Sequence, residues 1–392
     1  MSANPSSIRR DPGYLGLTSP VETLPAEWYF DPAHYRRELE QVWYRNWLYI
    51  CRSSEVAEAR SFRTQQVGDQ SLLLVRAEDG TLRAFHNTCR HRGAALCRER
   101  AGHFPGAGIV CPYHAWRYNL RGELLQAATS RQPGDGFDVR DYPLYRLSVT
   151  EWNGFVFASL SAEPAPLGST IDVALDRLDN WELGRLVVGH RMSKTIECNW
   201  KVFWENYNEC LHCPAVHPRL AQLVPIFGRA FMEQRDDPRW RDHAHDDDPQ
   251  YAGGLRRGAL SWTLDGRPVG AMFPKLTAAE RNAGHTYLTC VPSMFLAAHV
   301  DYVRVVRLLP VSPERTEMSI EFLFLPETLA DPARDLRPAI EFTDTVMSED
   351  AAICEVNQRG LHALAHTAGV LMPEEYAVRQ FQDWVRSQLS RA

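Results

Sequence analysis

Two short stretches, Cys89-Arg90-His91 and Cys111-Pro112-Tyr113-His114, each bring one thiol and one imidazole close together along the chain. Between them they offer a metal centre two sulfur and two nitrogen ligands. Structural zinc sites of the finger type usually draw cysteines from one half and histidines from the other. Mixed halves suit a two-iron, two-sulfide centre in which both thiolates take one iron and both imidazoles the other. Because imidazole is neutral where thiolate is anionic, such ligation raises the reduction potential above that of an all-cysteine cluster. A Cys₂His₂ zinc site, or four unrelated buried residues, is the alternative reading.

A second constellation lies in Asn199 to Pro218, NWKVFWENYNECLHCPAVHP. Read as a helix, Asn206, Glu209 and His212 recur every third residue, drift by about 60° per step and share one face. His217 falls about 140° round an unbroken helix from His212, so the two reach one ion only if the helix breaks. Pro214 is the expected break, since proline disfavours helical geometry at the residue before it. A completing carboxylate is available far downstream. Phe342, Val346 and Ile353 mark a buried helical face in residues 342–360, with Glu349 and Asp350 near it. Buried carboxylates are rarely left without a cation or a donor. Two histidines and one carboxylate with open positions make the facial set that holds Fe(II) for O₂ chemistry. Helical angles alone do not separate Glu349 from Asp350.

These residues need scaffolds to position them. At 392 residues the chain exceeds the size at which one core keeps growing, so two domains are expected. Short β segments at Phe62 to Val67, Ser71 to Ala77 and Thr81 to His86, the last two joined by the Asp79-Gly80 turn, predict a β domain around the first constellation. Tyr142 to Leu147 and Gly154 to Leu160 read as its closing strands, before a Pro-rich linker at Ala162 to Pro166. A helix capped by Asp31 and Pro32 precedes this domain, with Tyr35, Leu39, Val42 and Trp43 on its packing face. Downstream, strands at Tyr287 to Ala298, Tyr302 to Pro310 and Thr316 to Pro326, followed by helices, predict an antiparallel sheet with helices on one side, an α+β arrangement. Arg235 to Gln250 reads as a solvated loop in preference to a lid or weak metal site. Glu374 to Leu389 reads as a packing helix. A formal charge of −6 argues against a nucleic-acid backbone as partner. No apolar run of about eighteen residues and no apolar N-terminal leader is found, which predicts a soluble, cytoplasmic protein without membrane attachment. Of nine cysteines, Cys51, Cys97, Cys198, Cys210, Cys213, Cys290 and Cys354 lie outside the first constellation without a paired framework, as expected in a reducing compartment.

The C-x-H and C-x-x-H pattern, together with the downstream histidines, resembles that of the large (alpha) subunits of Rieske non-haem iron oxygenases, over nearly the whole chain. Membrane-anchored respiratory relatives of the Rieske domain carry an extra cysteine pair, for which Cys97 alone is no match. The resemblance implies a helix-grip-like catalytic domain and three regions: 1–45, an arm and helix on the catalytic domain; 46–160, the Rieske domain; 161–392, the catalytic domain. It implies a [2Fe–2S] cluster on Cys89, His91, Cys111 and His114, and Fe(II) on His212, His217 and Asp350. The choice of Asp350 rests on similarity to the family's E-D-x-x-x-C-E-x-x-Q-like stretch. Glu209 would bridge His212 to His114 of a neighbouring subunit in a homotrimer, carrying electrons between centres; the alternative is that it only fixes His212. Most ring-hydroxylating members have Asp there, and the glutamate resembles the carnitine, choline and glycine betaine oxygenases. The implied activity is monooxygenation with electrons from NAD(P)H through a flavin and iron–sulfur reductase, most specifically N-demethylation of a betaine-like quaternary ammonium. Hydroxylation of an aromatic ring is the rival, and a Rieske electron carrier with a ligand-binding domain is a rival from another class. Phe203, Trp204, Tyr207, Trp262, Phe273, Tyr287 and Phe295 are candidates for a cation–π cage, for stacking on a ring, or for plain core.

Overall fold

Asp31 starts the first helix as its sequence suggests: its Oδ1 accepts the N–H of Ala33 at 2.6 Å and of His34 at 2.9 Å, leaving fewer orphan donors in the first turn. In the computed structural model this helix, α1, spans Pro32–Glu38 and continues as a π-turn over Leu39–Trp43, burying Tyr35, Leu39, Val42 and Trp43. Residues 13–106, 108–129, 136–171 and 176–390 are described. The first twelve residues of the stretch read for a leader lie outside them. Val21–Glu22 (β1) pairs with Val370–Leu371, the last strand (β17).

The unit holding the cysteine–histidine loops takes in Leu39–Val187 with Leu288–Phe295. Its main sheet is antiparallel, built from Leu48–Arg52 (β2), Ser61–Val67 (β3), Gln70–Arg76 (β4), Leu82–His86 (β5), Ala101–His103 (β6), Arg146–Trp152 (β10) and Phe155–Ser159 (β11), in the order β2-β11-β10-β5-β4-β3-β6. A smaller sheet joins Gly108–Val110 (β7), Arg117–Asn119 (β8) and Leu124–Gln126 (β9). The expected strand from Tyr142 instead begins at Arg146. Pro143 lacks the N–H a ladder needs, so pairing starts beyond it.

The second unit comprises Met1–Glu38, Val188–Tyr287 and Leu296–Ala392. A five-stranded sheet runs β12-β16-β15-β14-β13, from Val187–Ile196 (β12), His285–Cys290 (β13), Met294–His299 (β14), Val303–Ser312 (β15) and Arg315–Phe324 (β16). The single strand expected over Tyr287 to Ala298 is two strands joined by a turn at Val291 to Ser293; Pro292 cannot donate within a ladder. Helices are Trp200–Tyr207 (α2), Cys213–Val216 (α3), Pro218–Leu223 (α4), Pro249–Ala252 (α5), Ala278–Ala283 (α6), Pro326–Ala330 (α7), Arg337–Leu361 (α8) and Tyr376–Leu389 (α9). Asn199 caps α2 through Lys201 N–H. Inside the unit Lys201 Nζ lies 2.5 Å from Glu38 Oε1, and both side chains are fully buried. The lysine also donates to Trp28 O and Asn199 Oδ1, while Trp200 Nε1 donates to Glu38 Oε2. A buried ion pair is tolerable when its remaining donors and acceptors are used in this way, and this one ties α1 to α2. Residues 235–250 form short 3₁₀ turns and α5, many of them exposed. Val378, Phe381 and Val385 form the buried face of α9. The chain is thus an α+β protein, and no helix among the described residues is long and apolar enough to cross a membrane.

Candidate metal centres

The first centre sits on two matched loops. Cys89 N–H donates to Ala94 O at 2.8 Å and Cys89 O accepts from Gly93 N–H at 3.0 Å; in the other loop Cys111 N–H donates to Trp116 O and Cys111 O accepts from Ala115 N–H at the same two distances. Each loop turns at a positive φ, +75° at Gly93 and +56° at Ala115, where glycine is unstrained and alanine is not. Cys89 and Cys111 are buried, whereas His91 is exposed and His114 half-buried. Thiols therefore point inward and imidazoles outward. The two imidazoles meet edge to face at 4.7 Å, and Trp116 stacks on His91 at 4.9 Å. Tyr118 Oη takes the N–H of Arg90 at 3.1 Å and lies 3.2 Å from Cys89 Sγ, placed to donate to it. Burial pushes the Cys89 thiol up, with Tyr118 opposing. Such a buried thiol becomes a thiolate only if a metal charge takes the proton's place. The donor set fits a [2Fe–2S] cluster, with soft sulfur enclosed and two nitrogens at the rim.

The second centre combines residues that are far apart in the chain. One ligand atom from each of His212, His217 and Asp350 falls within 4.8 Å of the others. His217 Nε2 lies 3.0 Å from Asp350 Oδ1 and 3.2 Å from His212 Nε2. Each histidine's other nitrogen meets a carboxylate: His212 Nδ1 is 2.5 Å from Glu209 Oε1, and His217 Nδ1 is 2.8 Å from Glu349 Oε2. Carboxylates on the outer nitrogens fix the tautomer and turn both Nε2 lone pairs inward. Burial alone would depress the His212 imidazole, but Asp350 and Glu209 raise it to about 9. His217 is raised despite burial, and burial would raise Asp350, which the two imidazoles hold well below the usual carboxylate range. The same field that favours a proton on these rings favours a cation between them. Asn206 Nδ2 donates at 2.6 Å to Asp350 Oδ1, the oxygen turned toward both imidazoles, and so holds the carboxylate in place. Two inward nitrogens and one carboxylate fit Fe(II) with open positions.

The local folding differs from the helical reading. α2 ends at Tyr207, where Asn208 returns its side-chain N–H to Trp204 O, so Glu209 and His212 lie in a turn. Glu209 Oε2 accepts the N–H of Leu211 and of His212 across that turn. Pro214 does not break a helix; it lies in the first turn of α3, where its missing N–H costs nothing. The break is at His217, which closes α3 with ψ +65° ahead of Pro218 in α4. Pro218 forbids helical geometry at the residue before it, and that residue is the ligand. Two features went unread: Glu349 as the partner of His217, weighed only as a rival ligand, and a Cys210–Cys213 disulfide bracketing His212. The C-x-x-C spacing carried the second. The reading of these two cysteines as unpaired is corrected, since three residues across a tight turn bring them together. Among the candidate cage residues, Phe203, Trp204, Phe273 and Phe295 are fully buried core, while Tyr207 and Tyr287 are half-buried. A cavity of about 320 Å³ is lined by Glu205, Asn206, Glu209 and His212, among others.

Residues 46–143 match the Rieske [2Fe-2S] domain, and residues 183–391 match the ring hydroxylating alpha subunit (catalytic domain). The glycine betaine monooxygenase oxygenase subunit of Chromohalobacter salexigens is 30% identical over 92% of this chain and 84% of its own length. The chloroplastic choline monooxygenase of Beta vulgaris is 28% identical over 99% and 82%. In fold, the chain is similar to a quaternary ammonium Rieske monooxygenase solved with L-carnitine, at a TM-score of 0.70, 22% identity and coverage of 94% and 96%. Naphthalene 1,2-dioxygenase from a Rhodococcus species reaches the same TM-score at 18% identity, covering 94% and 95%, so fold alone does not choose between methylated amines and aromatic rings. A Rieske domain followed by a catalytic domain of this type, matched along most of the chain, makes this protein an oxygenase subunit of the Rieske non-haem iron oxygenase family, an oxidoreductase that uses a [2Fe–2S] cluster and a mononuclear iron.

Proposed function

We propose that this oxygenase hydroxylates an N-methyl group of a betaine-like quaternary ammonium, with electrons from NAD(P)H delivered by a separate reductase. The carrying observation is the trio His212, His217 and Asp350, with both histidines backed by carboxylates. An electron carrier has no use for such a site. In this reading Cys89, His91, Cys111 and His114 hold the cluster, and His212, His217 and Asp350 hold the iron. The iron supplies O₂ activation when bound. Glu209 and Glu349 keep both imidazoles in the tautomer that presents Nε2 to the metal. Asn206 holds Asp350 Oδ1, the oxygen turned toward both imidazoles, and so would fix the carboxylate's orientation toward the metal. Tyr207, Tyr287 and Trp262 exclude water and offer π faces to a methylated cation. Glu209 lies at the wall of a cavity with His212, where it would link His212 to the outward-facing His114 of a neighbouring subunit in a trimer. Hydroxylation of one N-methyl gives a carbinolamine that breaks its C–N bond, releasing formaldehyde and a tertiary amine. The full balance consumes one O₂ and one NAD(P)H with a proton, and yields one water. Supplying purified enzyme, reductase and NADH with glycine betaine or choline should release formaldehyde in equal amount to O₂ consumed. Formaldehyde-free hydroxylation of indole or naphthalene, with neither amine consumed, would replace this reading by aromatic ring oxidation.

A further inference from the structure

Arg304 on β15 is 95% buried, at 5% exposure, yet its side chain has no hydrogen bond or ion pair to any described residue, and its Nε is sealed from water. Other buried arginines have partners: Arg52 donates to the carbonyls of Leu183 and Leu186, Arg76 grips Glu151 with two parallel bonds, and Arg63 and Arg307, whose Nε atoms are likewise unmet, pair with Glu55 and Glu317. An uncompensated guanidinium in the interior is costly unless an anion reaches it. The carboxylate nearest in sequence, Asp301, is committed to Ser261 Oγ and to the N–H groups of Val269 and Gly270. What surrounds Arg304 is aromatic and neutral. Its guanidinium lies 5.8 Å over the Trp262 ring. Burial first, and Arg304 second, holds His285 down at about 4 and holds His299 well below the usual imidazole range. No anion stands in this group. His285 and Tyr287 form one wall of this group, their ring centroids 5.1 Å apart, and both are half-buried.

The same wall leads to the iron ligands. Trp262 meets Tyr287 at 6.4 Å and Phe342 at 6.5 Å, and Tyr287 meets Tyr207 at 6.4 Å. Tyr207 adjoins Asn206, which holds Asp350. Phe342 precedes Asp350 on α8 by about 12 Å of helix. A small molecule with one end near Asp350 and the other near Arg304 would run along this aromatic wall. A methylated ammonium cannot sit against the guanidinium, so only the molecule's other end can, and that end must be anionic.

We propose that Arg304 is the carboxylate anchor of the substrate site, so that the substrate is a zwitterion whose anionic end pairs with the guanidinium while its methylated ammonium lies by Tyr207 and Tyr287 toward the iron. This rests on the quaternary ammonium reading above, and it excludes choline as the preferred ligand because a hydroxyl leaves the cation unpaired. Anaerobic calorimetry on the cluster- and iron-loaded protein tests it with three ligands: glycine betaine, choline, and 3,3-dimethylbutanoate, which keeps the carboxylate but replaces the ammonium by carbon. Arg304→Gln should weaken glycine betaine and 3,3-dimethylbutanoate by about 10- to 100-fold and choline by less than about threefold, the loss expected for a charged hydrogen-bonded pair. Arg304→Lys should fall between, since it keeps the charge and loses the fork. Cluster absorption and melting temperature check that each variant is folded. Wild-type protein that binds choline as tightly as glycine betaine, equal losses for all three ligands in Arg304→Gln, or no binding of any of them overturns the anchor. If both amines fail to bind but 3,3-dimethylbutanoate binds and depends on Arg304, the anchor stands and the quaternary ammonium reading falls.

Discussion

At the proposed iron centre three acids divide the work: Asp350 faces inward between the imidazoles, and Glu209 and Glu349 stand behind them. Asp350→Ala should therefore lose iron and all turnover, as should His212→Ala, while cluster absorption is unchanged in both. Glu349→Gln should keep the site but weaken iron binding by about 10- to 100-fold, the usual cost of removing a ligand's orienting partner; iron retained by Asp350→Ala and lost by Glu349→Gln would reverse the assignment. The metal-free histidines make a further measurement decisive. Because His212 holds a proton up to about pH 9 and His217 is raised as well, metal binding at lower pH must displace protons. Affinity for Fe(II), titrated anaerobically against a chelating dye, should fall by roughly tenfold for each proton displaced per pH unit between pH 8 and 6. A flat profile would mean that the rings are already neutral. The thiols and imidazoles of both proposed centres were legible because each set stands at short spacing, whereas Asp350 lies 133 residues beyond His217 and was chosen only through the family resemblance. The backing carboxylate Glu349 was not, since spacing shows that an acid is near a face but not which way it turns.

Among the elements, those read from alternation and caps came out close to their observed bounds, such as β3, β4, α1 and α9. Those that depend on where proline withholds a donor did not, as β10 and the β13–β14 pair show, and α2 stops earlier than expected, at Tyr207. A three-residue recurrence is compatible with a helix and with a turn, and the sequence between Asn206 and His212 left the two alike. α2 also carries an acid with a testable titration. Glu205 accepts from Tyr29 Oη at 2.6 Å and from Gln382 Nε2 at 3.0 Å, and burial raises its carboxyl from 4.5 to about 7. The folded protein thus keeps a proton between those values that the unfolded chain gives up. Stability from this group is full below about pH 4.5 and is lost as the pH climbs through 7. Glu205→Gln, which preserves the acceptor, should raise the unfolding free energy by about 1 to 3 kcal/mol at pH 8 and by little at pH 5. Thermal melts at the two values provide the comparison, and an equal gap at both would show that the carboxyl titrates normally.

For the whole molecule, the proposed role of Glu209 requires more than one chain, because it hands electrons from a neighbour's cluster to this chain's iron. Mixed oligomers expose that route. A His212→Ala chain keeps its cluster without iron, and a Cys89→Ser chain keeps its iron without a complete cluster, so each alone should be inactive. Co-expressed, they should recover roughly a quarter of wild-type activity in randomly mixed trimers, where one junction in each mixed assembly is intact. No recovery would place electron transfer within a single chain. Adding Glu209→Gln to the iron-bearing partner should lower the recovered rate without dissolving the oligomer, since charged hydrogen bonds become neutral ones. The division of the chain also bears on how the protein is made. The unit with the cysteine–histidine loops is almost entirely a single insertion, residues 39–187, inside a unit whose parts begin before residue 38 and end beyond residue 296. A ribosome releases Cys89 to His114 early, and domains of this kind fold as they emerge. Asp350 emerges long after His114, so during synthesis the nascent chain can hold the cluster loops well before it has anywhere to put the iron.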